Sequence, residues 1–269
     1  MSRLFPDRLL IGLAPDAVSL VRVSGGPRPQ ISDTRAVDCD PAAGAEPWEG
    51  AVAALARIAD EIAKTSARAT VVLSNHFARY VLVPPGEGLK KGEEETAFAR
   101  YCFAKIHGER SKHWDLRLSP AQPGSARIAS AVDAPLVRAV QTAFPPAAKL
   151  VSLQPYLMSA FNRWRRQLTD ARAWLLLVEP QRACLARLER GQIAAVRNSR
   201  GSFRDPEHWA GLLDLERHVA GGGHAPEDVY VHAPEGWSDS PAGAESWTFK
   251  KVAPATTHSG RFAMALCAL

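Results

Sequence analysis

Polar side chains that could do chemistry lie at the ends of predicted strands and at two tight corners. Ser74, Asn75 and His76 follow an apolar run, where a strand end could present a nucleophile and a base. Asp16 lies at the corner of the first predicted hairpin, and Glu179 lies at the corner of a later one. Two carboxylates that faced each other across a cleft would suit a divalent cation. Asp is also common in ordinary exposed turns, and for Asp16 that structural interpretation is the favoured one.

The longer catalytic motifs are missing from the sequence. It contains no HExxH, Walker loop or GxSxG segment, and His218 and His224 have no metal-ligand spacing. No orienting residue completes a catalytic set with Ser74, Asn75 and His76, so a structural role is favoured there too. The glycines 221–223 precede a predicted strand, and we interpret them as the end of a helix.

Composition indicates a soluble globular protein. The 269 residues are 46% hydrophobic and 23% charged, with a net charge of +5, which allows one large domain or two compact ones. The basic run Arg163–Arg166 is interpreted as a solvated helix face and not as a nucleic-acid site. No leader segment and no apolar run of about 18 residues occurs, so a cytoplasmic protein is expected.

The elements that must position these residues follow from hydrophobic periodicity. Strands are predicted over residues 9–14 and 17–23, and the order strand, strand, helix, strand, strand, helix over about 79–144 indicates a small α+β insert. In the first helix of this insert, the apolar face is predicted to consist of Phe98, Tyr101, Cys102 and Ile106. A strand over 149–155 and a helix then lead to the linker "TDARA" and a second half.

The two halves of the chain begin alike. Residues 9–26 align without gaps on residues 174–191, and Pro15 coincides with Pro180, Leu20 with Leu185 and Gly26 with Gly191. Two unrelated amphipathic hairpins could also align this well. The favoured interpretation is a duplicated domain with two similar β-sheet cores and a cleft between them.

A duplicated chain in this element order resembles the actin-like ATPase fold, of the ribonuclease H-like class. "TVVLSNHFARYVLVPPGEGLKKGEEETAFARYCFAK" resembles the place where PilM-like type IV pilus proteins and the cytoplasmic domain of GspL leave their first sheet for an inserted subdomain. "KLVSLQPYLMSAFN" is similar to their return strand and helix, and "RFAMALCAL" to the short terminal helix of PilM-like proteins. GspL-like chains continue into a transmembrane segment, so a free-standing PilM-like or MSHA-pilus-like member is expected.

The resemblance implies an α/β fold with three subdomains. The first actin-like subdomain is expected over 1–83 plus 146–170, the inserted α+β subdomain over 84–145, and the second actin-like subdomain over 171–269.

The resemblance also implies where a nucleotide would bind. The family's first hairpin carries an Asp and, two residues on, a Gly that lets the backbone approach phosphate. These places hold Gly12 and Ala14 here, and Leu177 and Glu179 in the second hairpin; a carboxylate at Glu179 would repel phosphate. The adenosine-binding turn, a strand followed by Gly-Gly, is replaced by His232, Ala233 and Pro234. A pseudo-ATPase without a cofactor is therefore expected, with residual ATP and Mg²⁺ binding as the less favoured case.

The function implied by the resemblance is that of a cytoplasmic scaffold in a type IV pilus or type II secretion assembly platform. Its expected partner is the cytoplasmic tail of a PilN-like or GspL/GspM-type inner-membrane protein, with an assembly ATPase as a further candidate, and this partner would hold it at the inner membrane. The tail is expected between the first sheet and the insert, against residues 79–84 and the helix 94–106, with Tyr80 and Phe98 as binding residues.

Two alternatives remain from the sequence. The first is a nucleotide-binding actin-like ATPase switch of the same machinery, which needs a phosphate loop. The second is an unrelated ribonuclease H-like enzyme, which needs clustered carboxylates on the central strands. The relevant strand positions are apolar or glycine: Ile11, Gly12, Leu13, Leu176 and Leu177.

Overall fold

The computed structural model describes residues 6–40, 44–63, 67–86, 92–120, 124–168, 170–203, 205–221, 227–233, 246–253 and 260–269. The chain divides into two compact units. The first consists of Met1–Arg163 together with Arg261–Leu269, and the second of Trp164–Gly260.

A five-stranded sheet forms the centre of the first unit, in the order β3-β2-β1-β4-β8. Its strands are β1 (Asp7–Leu13), β2 (Ala17–Val23), β3 (Ile31–Asp38), β4 (Ala67–Leu73) and β8 (Ala148–Pro155). β1 pairs antiparallel with β2 and parallel with β4, so it is a central strand with both edges paired. Its two faces are also buried, with Leu9 and Ile11 in one apolar cluster and Leu10 in another. This position explains its almost continuous apolar sequence, since a strand buried on both faces need not alternate.

The second unit repeats this sheet, in the order β11-β10-β9-β12-β13. Its strands are β9 (Arg172–Glu179), β10 (Arg182–Glu189), β11 (Gln192–Arg200), β12 (Glu227–His232) and β13 (Trp247–Lys251). The leading hairpins also share their register, because Leu13 pairs with Val18 in one and Val178 with Ala183 in the other. The duplication predicted from the sequence is therefore confirmed.

Helices cover one face of each large sheet. In the first unit these are α1 (Glu49–Arg57), α2 (Ala59–Ala63) and α4 (Ala134–Ala143), whose apolar sides join one core with Leu9, Ile11 and Leu13. The sheet continues through β8 into α5 (Tyr156–Trp164). In the second unit α6 (Glu207–Val219) packs Trp209 and Leu213 on the matching positions Trp174, Leu176 and Val178. The same alternate residues thus face the core in both halves.

The insert is a three-stranded sheet, in the order β5-β7-β6, with one long helix. Its elements are β5 (Ala78–Val83), α3 (Glu93–His107), a 3₁₀ helix (Gly108–His113), β6 (Trp114–Leu118) and β7 (Arg127–Asp133). β5 belongs to this sheet through its pairing with β7, although the sequence analysis assigned residues up to 83 to the first subdomain. Pairing that joins distant segments cannot be read from the composition of β5 alone.

The packing side of α3 overlaps only in part with the one predicted. Its fully buried residues are Ala99 and Phe103, which contact the small sheet. Phe98 and Cys102 are only partly buried, and Tyr101 and Ile106 are largely exposed. The expectation that these four residues form the core face is wrong for Tyr101 and Ile106, whereas Phe98 and Cys102 pack partly against the core that Ala99 and Phe103 enter fully.

The terminal segment belongs to the first unit and not, as predicted, to the second subdomain. The short helix α7 (Ala263–Leu266) places Ala265 and Leu266 against Leu10, Val21 and Val23, on the face of the sheet opposite α1. The Arg8 guanidinium donates a hydrogen bond to the Ala268 carbonyl (2.9 Å). Apolar burial on this second face explains why the segment returns to the first sheet. Among the described residues, no helix has the length and apolar character needed to cross a membrane.

Candidate functional site

The first hairpin has the geometry of a tight turn, without the side chains that phosphate binding needs. The Ala14 N–H donates to the Ala17 carbonyl (3.1 Å), and the Cys39 N–H donates to the Asp16 carbonyl (2.9 Å). Asp16 is exposed at the corner, as expected for a turn residue. Gly12 lies two residues before Ala14, within β1, and provides no carboxylate that could bind a metal ion.

Close packing surrounds Gly12. A Cβ atom built on Gly12 would lie 2.6 Å from Ser19 Oγ on the neighbouring strand and 3.0 Å from Met264 Cε on α7. Contacts under 3.0 Å force a neighbour to move. The terminal segment and Ser19 therefore occupy the space that an Asp side chain would need at this position.

The second hairpin replaces the corresponding positions with buried side chains. Leu177 is fully buried and Glu179 is 5% exposed. Arg182 faces Glu179 across the hairpin register, is equally buried, and donates from Nη1 to Asn198 Oδ1 (2.9 Å). The turn between them holds Gln181 with a φ of 57°, a left-handed conformation that usually favours glycine. This turn thus consists of a buried acidic residue, a buried basic residue and Gln181 in a strained conformation, and it is not an open glycine loop.

A buried histidine lies at the third position where the resemblance implies nucleotide binding. His232 ends β12 beside Leu177 of β9, and its ring lies 4.6 Å from that of Trp164. Burial, and to a lesser degree the positive charge of Lys251, lowers the pKa of His232 to about 3. Ala233 packs against the core of the second unit, and Pro234 lies outside the described residues. A neutral imidazole tilted against the indole of Trp164 fills the place where the resemblance implies a Gly-Gly turn.

Neither of the other sequence candidates assembles a catalytic set. Ser74 Oγ accepts from the His76 N–H (3.1 Å), and Asn75 Oδ1 accepts from the Tyr80 hydroxyl (2.7 Å), so these residues shape the turn between β4 and β5. Gly221 ends α6 with a φ of 66°, as predicted for a helix terminus; Gly222, Gly223 and His224 lie outside the described residues. Among the residues that the structure describes, no group of three or more His, Cys, Asp or Glu side chains could hold a metal ion.

A groove of about 430 Å³ lies between the first sheet and the insert. Its walls come from the edge strand β8, from β6 and β7 of the small sheet, and from α4. The lining residues are Leu73, Asp115, Arg117, Ser130, Val132, Val137, Gln141, Leu150, Val151, Ser152, Leu153 and Pro155. The sequence analysis expected a groove between these subdomains but chose other walls, namely residues 79–84 and the helix 94–106.

Two strand edges open into this groove. β8 is the last strand of the first sheet and β6 the last strand of the small sheet, so each has one side without a strand partner among the described residues. Val151 on β8 is 39% exposed, and Arg117 and Asp115 form a 3.7 Å ion pair at the β6 side. Open edges beside apolar side chains are suited to an extended peptide, which adds backbone hydrogen bonds and fills side-chain pockets.

Tyr80 and Phe98 lie outside the set of residues that line the groove. The Tyr80 hydroxyl accepts from the Leu157 N–H (3.4 Å) as well as donating to Asn75, and its ring packs on the first core. Phe98 packs partly on the insert core and stacks with Tyr101, with ring centroids 6.3 Å apart. Their part in partner binding stays a prediction. The positions of Val151 and Val132 in the groove depend on how distant strands pair, which the sequence does not show directly.

The two five-stranded sheets of identical order, with an insert in the first half, define an actin-like fold, and solved structures confirm this class. The PilM–PilN type IV pilus biogenesis complex matches with a TM-score of 0.65 and 17% identity, over 97% of each chain. The cytoplasmic domain of EpsL, an inner-membrane component of the Vibrio cholerae type II secretion system, matches with a TM-score of 0.58 and 13% identity, over 91% of this chain and 90% of that one.

A third structure extends the same likeness. It is a protein from Bacteroides thetaiotaomicron with an actin-like ATPase fold and unknown function, with a TM-score of 0.59 and 12% identity over 87% of this chain and 86% of that one. No protein-family model matches the sequence, and no curated protein is similar enough to count as a relative. At these identities the likeness establishes the fold.

Proposed function

We propose that this protein is a scaffold of a type IV pilus or type II secretion assembly platform, which binds the cytoplasmic tail of a PilN-like inner-membrane protein and does not turn over nucleotide. The observation that carries the proposal is the groove between β8 and β6, where two open strand edges meet apolar side chains. The whole-length similarity to PilM in complex with PilN supports the same conclusion.

The groove suits an extended tail better than a rigid small molecule. The edge of β8 offers backbone donors and acceptors, and Leu150, Val151 and Leu153 supply apolar surface along the same strand. Arg117, with 82% of its side chain exposed, provides a charged group at one side. Backbone pairing along an edge provides affinity, and the neighbouring pockets provide sequence selectivity.

The three nucleotide positions support a role without ATP turnover. Gly12 has no room for a metal-binding side chain, Glu179 puts a buried carboxylate where phosphate would approach, and His232 fills the adenosine turn. Each departure has a separate physical effect: lost metal binding, charge repulsion and lost space. Their coincidence supports a scaffold over the alternative of an ATPase switch.

Calorimetric titration with a synthetic tail peptide tests the proposal. The peptide should come from a PilN-like protein encoded beside this gene. The wild type is expected to bind it, and Val151→Arg should weaken binding by about tenfold or more, because the new side chain would block the apolar part of the groove. Val151 is already partly exposed, so the variant should fold normally.

The matched control is Leu215→Arg, which places the same charge at an exposed apolar residue of α6 in the second unit. This variant should bind the peptide like the wild type. Equal binding by Val151→Arg and the wild type would contradict the groove as the binding site. Failure of the wild type to bind the tail would contradict the assembly function itself.

A further inference from the structure

One side of α3 carries apolar side chains that the described residues bury only in part or leave exposed. Phe98, Tyr101, Cys102 and Ile106 lie at helical spacing along this side, which we call the α3 stripe. Tyr101 is 61% exposed and Ile106 is 64% exposed, while Phe98 and Cys102 are half-buried. Together the two exposed and the two half-buried side chains form an apolar surface that could contact a partner. The α3 stripe is separate from the groove, whose lining contains none of its residues.

Positive charge accumulates at the C-terminal end of the α3 stripe. From residue 100 to residue 117 the chain has two acidic side chains and five exposed basic ones, which are Arg100, Lys105, Arg110, Lys112 and Arg117. Both acids are already paired, Glu109 with Lys112 (2.6 Å) and Asp115 with Arg117 (3.7 Å). Among the described residues Arg100, Lys105 and Arg110 form no ion pair, so their charge is available to a ligand.

The opposite end of α3 has the opposite charge. Glu93 and Glu94 are exposed in its first turn, and Glu95 pairs with Arg127 (2.7 Å). An anionic surface would therefore be attracted by the C-terminal end of the helix and repelled by the N-terminal end. This polarity fixes which end of the insert approaches such a surface.

We propose that the C-terminal end of the α3 stripe, with the adjoining 3₁₀ helix, binds an anionic phospholipid surface. Tyr101 and Ile106 enter the interface between headgroups and acyl chains, where amphipathic rings and aliphatic side chains are favoured. Lys105 lies within the stripe, and its long stem lets the ammonium reach lipid phosphates while its neighbours stay deeper. Arg110, in the 3₁₀ helix, adds a second cation at the same end.

Vesicle sedimentation tests this proposal with the full chain. Vesicles of phosphatidylcholine alone are compared with vesicles in which roughly a third of the lipid is phosphatidylglycerol. The wild type should bind the anionic vesicles roughly tenfold more tightly, and raising the salt from about 0.1 M to about 0.5 M should remove most of this preference. Lys105→Glu with Arg110→Glu should abolish the preference for anionic vesicles.

The double variant Tyr101→Ser with Ile106→Ser tests the contribution of the apolar side chains of the α3 stripe. It should weaken binding to anionic vesicles by about tenfold. The matched control is Leu215→Ser with Val219→Ser, which removes two side chains of similar exposure, 58% and 66%, from α6. The control should bind like the wild type. All four positions are exposed, so unchanged thermal unfolding should accompany every variant.

Three results would overturn the proposal. Equal binding of the wild type to neutral and anionic vesicles, or no binding to either, would exclude recognition of anionic lipid. An equally large loss in the α6 control would show that the α3 stripe is not the contact. A wild-type dimer in sedimentation equilibrium that Tyr101→Ser with Ile106→Ser converts to a monomer would assign the stripe to a second copy of the chain instead.

Discussion

Gly12 faces Ser19 across the first hairpin at a distance that leaves no room for a side chain. A Cβ on Gly12 would lie 2.6 Å from Ser19 Oγ, and the short Ser19 side chain has little freedom to move aside. We therefore expect Gly12→Ala to lower the free energy of unfolding of the protein by about 1–3 kcal/mol, as overpacking does in other cores. Urea unfolding followed by circular dichroism would measure this change.

The double variant Gly12→Ala with Ser19→Ala provides the control. It removes the Oγ atom that the new methyl group would meet, so part of the lost stability should return, and the two changes should not be additive. Full additivity would mean that Ser19 is not the obstacle. Gly12→Asp should be less stable than Gly12→Ala, and it should not create Mg²⁺-dependent ATP binding.

Gln181 adopts a left-handed backbone conformation in the second hairpin. Its φ of 57° is unfavourable for a residue with a Cβ atom, so Gln181→Gly should raise the free energy of unfolding by about 0.5–1 kcal/mol. Gln192→Gly is the matched change, at an exposed strand residue without a positive φ, and it should lower stability by a similar amount. Thermal unfolding of both variants checks the sign; a loss at Gln181 would contradict the strain.

His232 should make the stability of the protein depend on pH. Its pKa is lowered from 6.5 to about 3, so the unfolded chain binds a proton that the folded chain does not. The stabilising effect is therefore complete above pH 6.5 and is lost as the pH falls towards about 3. Between about pH 7 and about pH 5 this single group should reduce the free energy of unfolding by about 2 kcal/mol.

The variant His232→Phe keeps an aromatic ring beside Trp164 and cannot bind a proton. Urea unfolding at both pH values should show that the free energy of unfolding depends less on pH in this variant than in the wild type. The difference between the two proteins is the contribution of His232. Removal of the exposed His208 should leave the pH dependence of the wild type in place. Identical pH dependence of His232→Phe and the wild type would show that His232 is not buried in its neutral form.

Fluorescent ATP titration separates the scaffold from the ATPase switch. With Mg²⁺ present we expect no saturable binding below about 1 mM, because Glu179 repels phosphate and Gly12 offers no metal contact. The controls are a titration with the nucleoside diphosphate ADP and an ATP titration in which EDTA removes Mg²⁺. Tight, metal-dependent binding by the wild type would favour the ATPase switch and contradict the proposed loss of nucleotide handling.

The repeated hairpin was predictable because its pattern is local. Leu9, Ile11 and Leu13 alternate with residues of the other face, and Trp174, Leu176 and Val178 do the same in the second half, so hydrophobic spacing alone aligns them. The turn residues Pro15 and Pro180 add a second local signal. Local signals of this kind are sufficient to predict the duplicated β-sheet core.

The groove and the α3 stripe depend on which side of each element finds a partner. In α3 the spacing favours Phe98 and Tyr101 as core residues, yet the insert buries Ala99 and Phe103. Alanine adds little to a hydrophobic pattern, although its small size lets a helix approach a sheet closely. Likewise, the edge position of β8 follows from pairing between distant strands, which periodicity within one strand does not contain.

The packing of α7 on β1 has a consequence for the order of events during synthesis. The face of β1 and β2 that carries Leu10 and Val21 receives its cover only when residues 261–269 arrive. At ribosomal speed this is roughly 240 residues, or about ten to fifty seconds, after β2 has been made. Until then the apolar side chains of β1 and β2 on this face lack the cover that α7 provides, and we expect chaperones that bind apolar segments to act on them in the nascent chain.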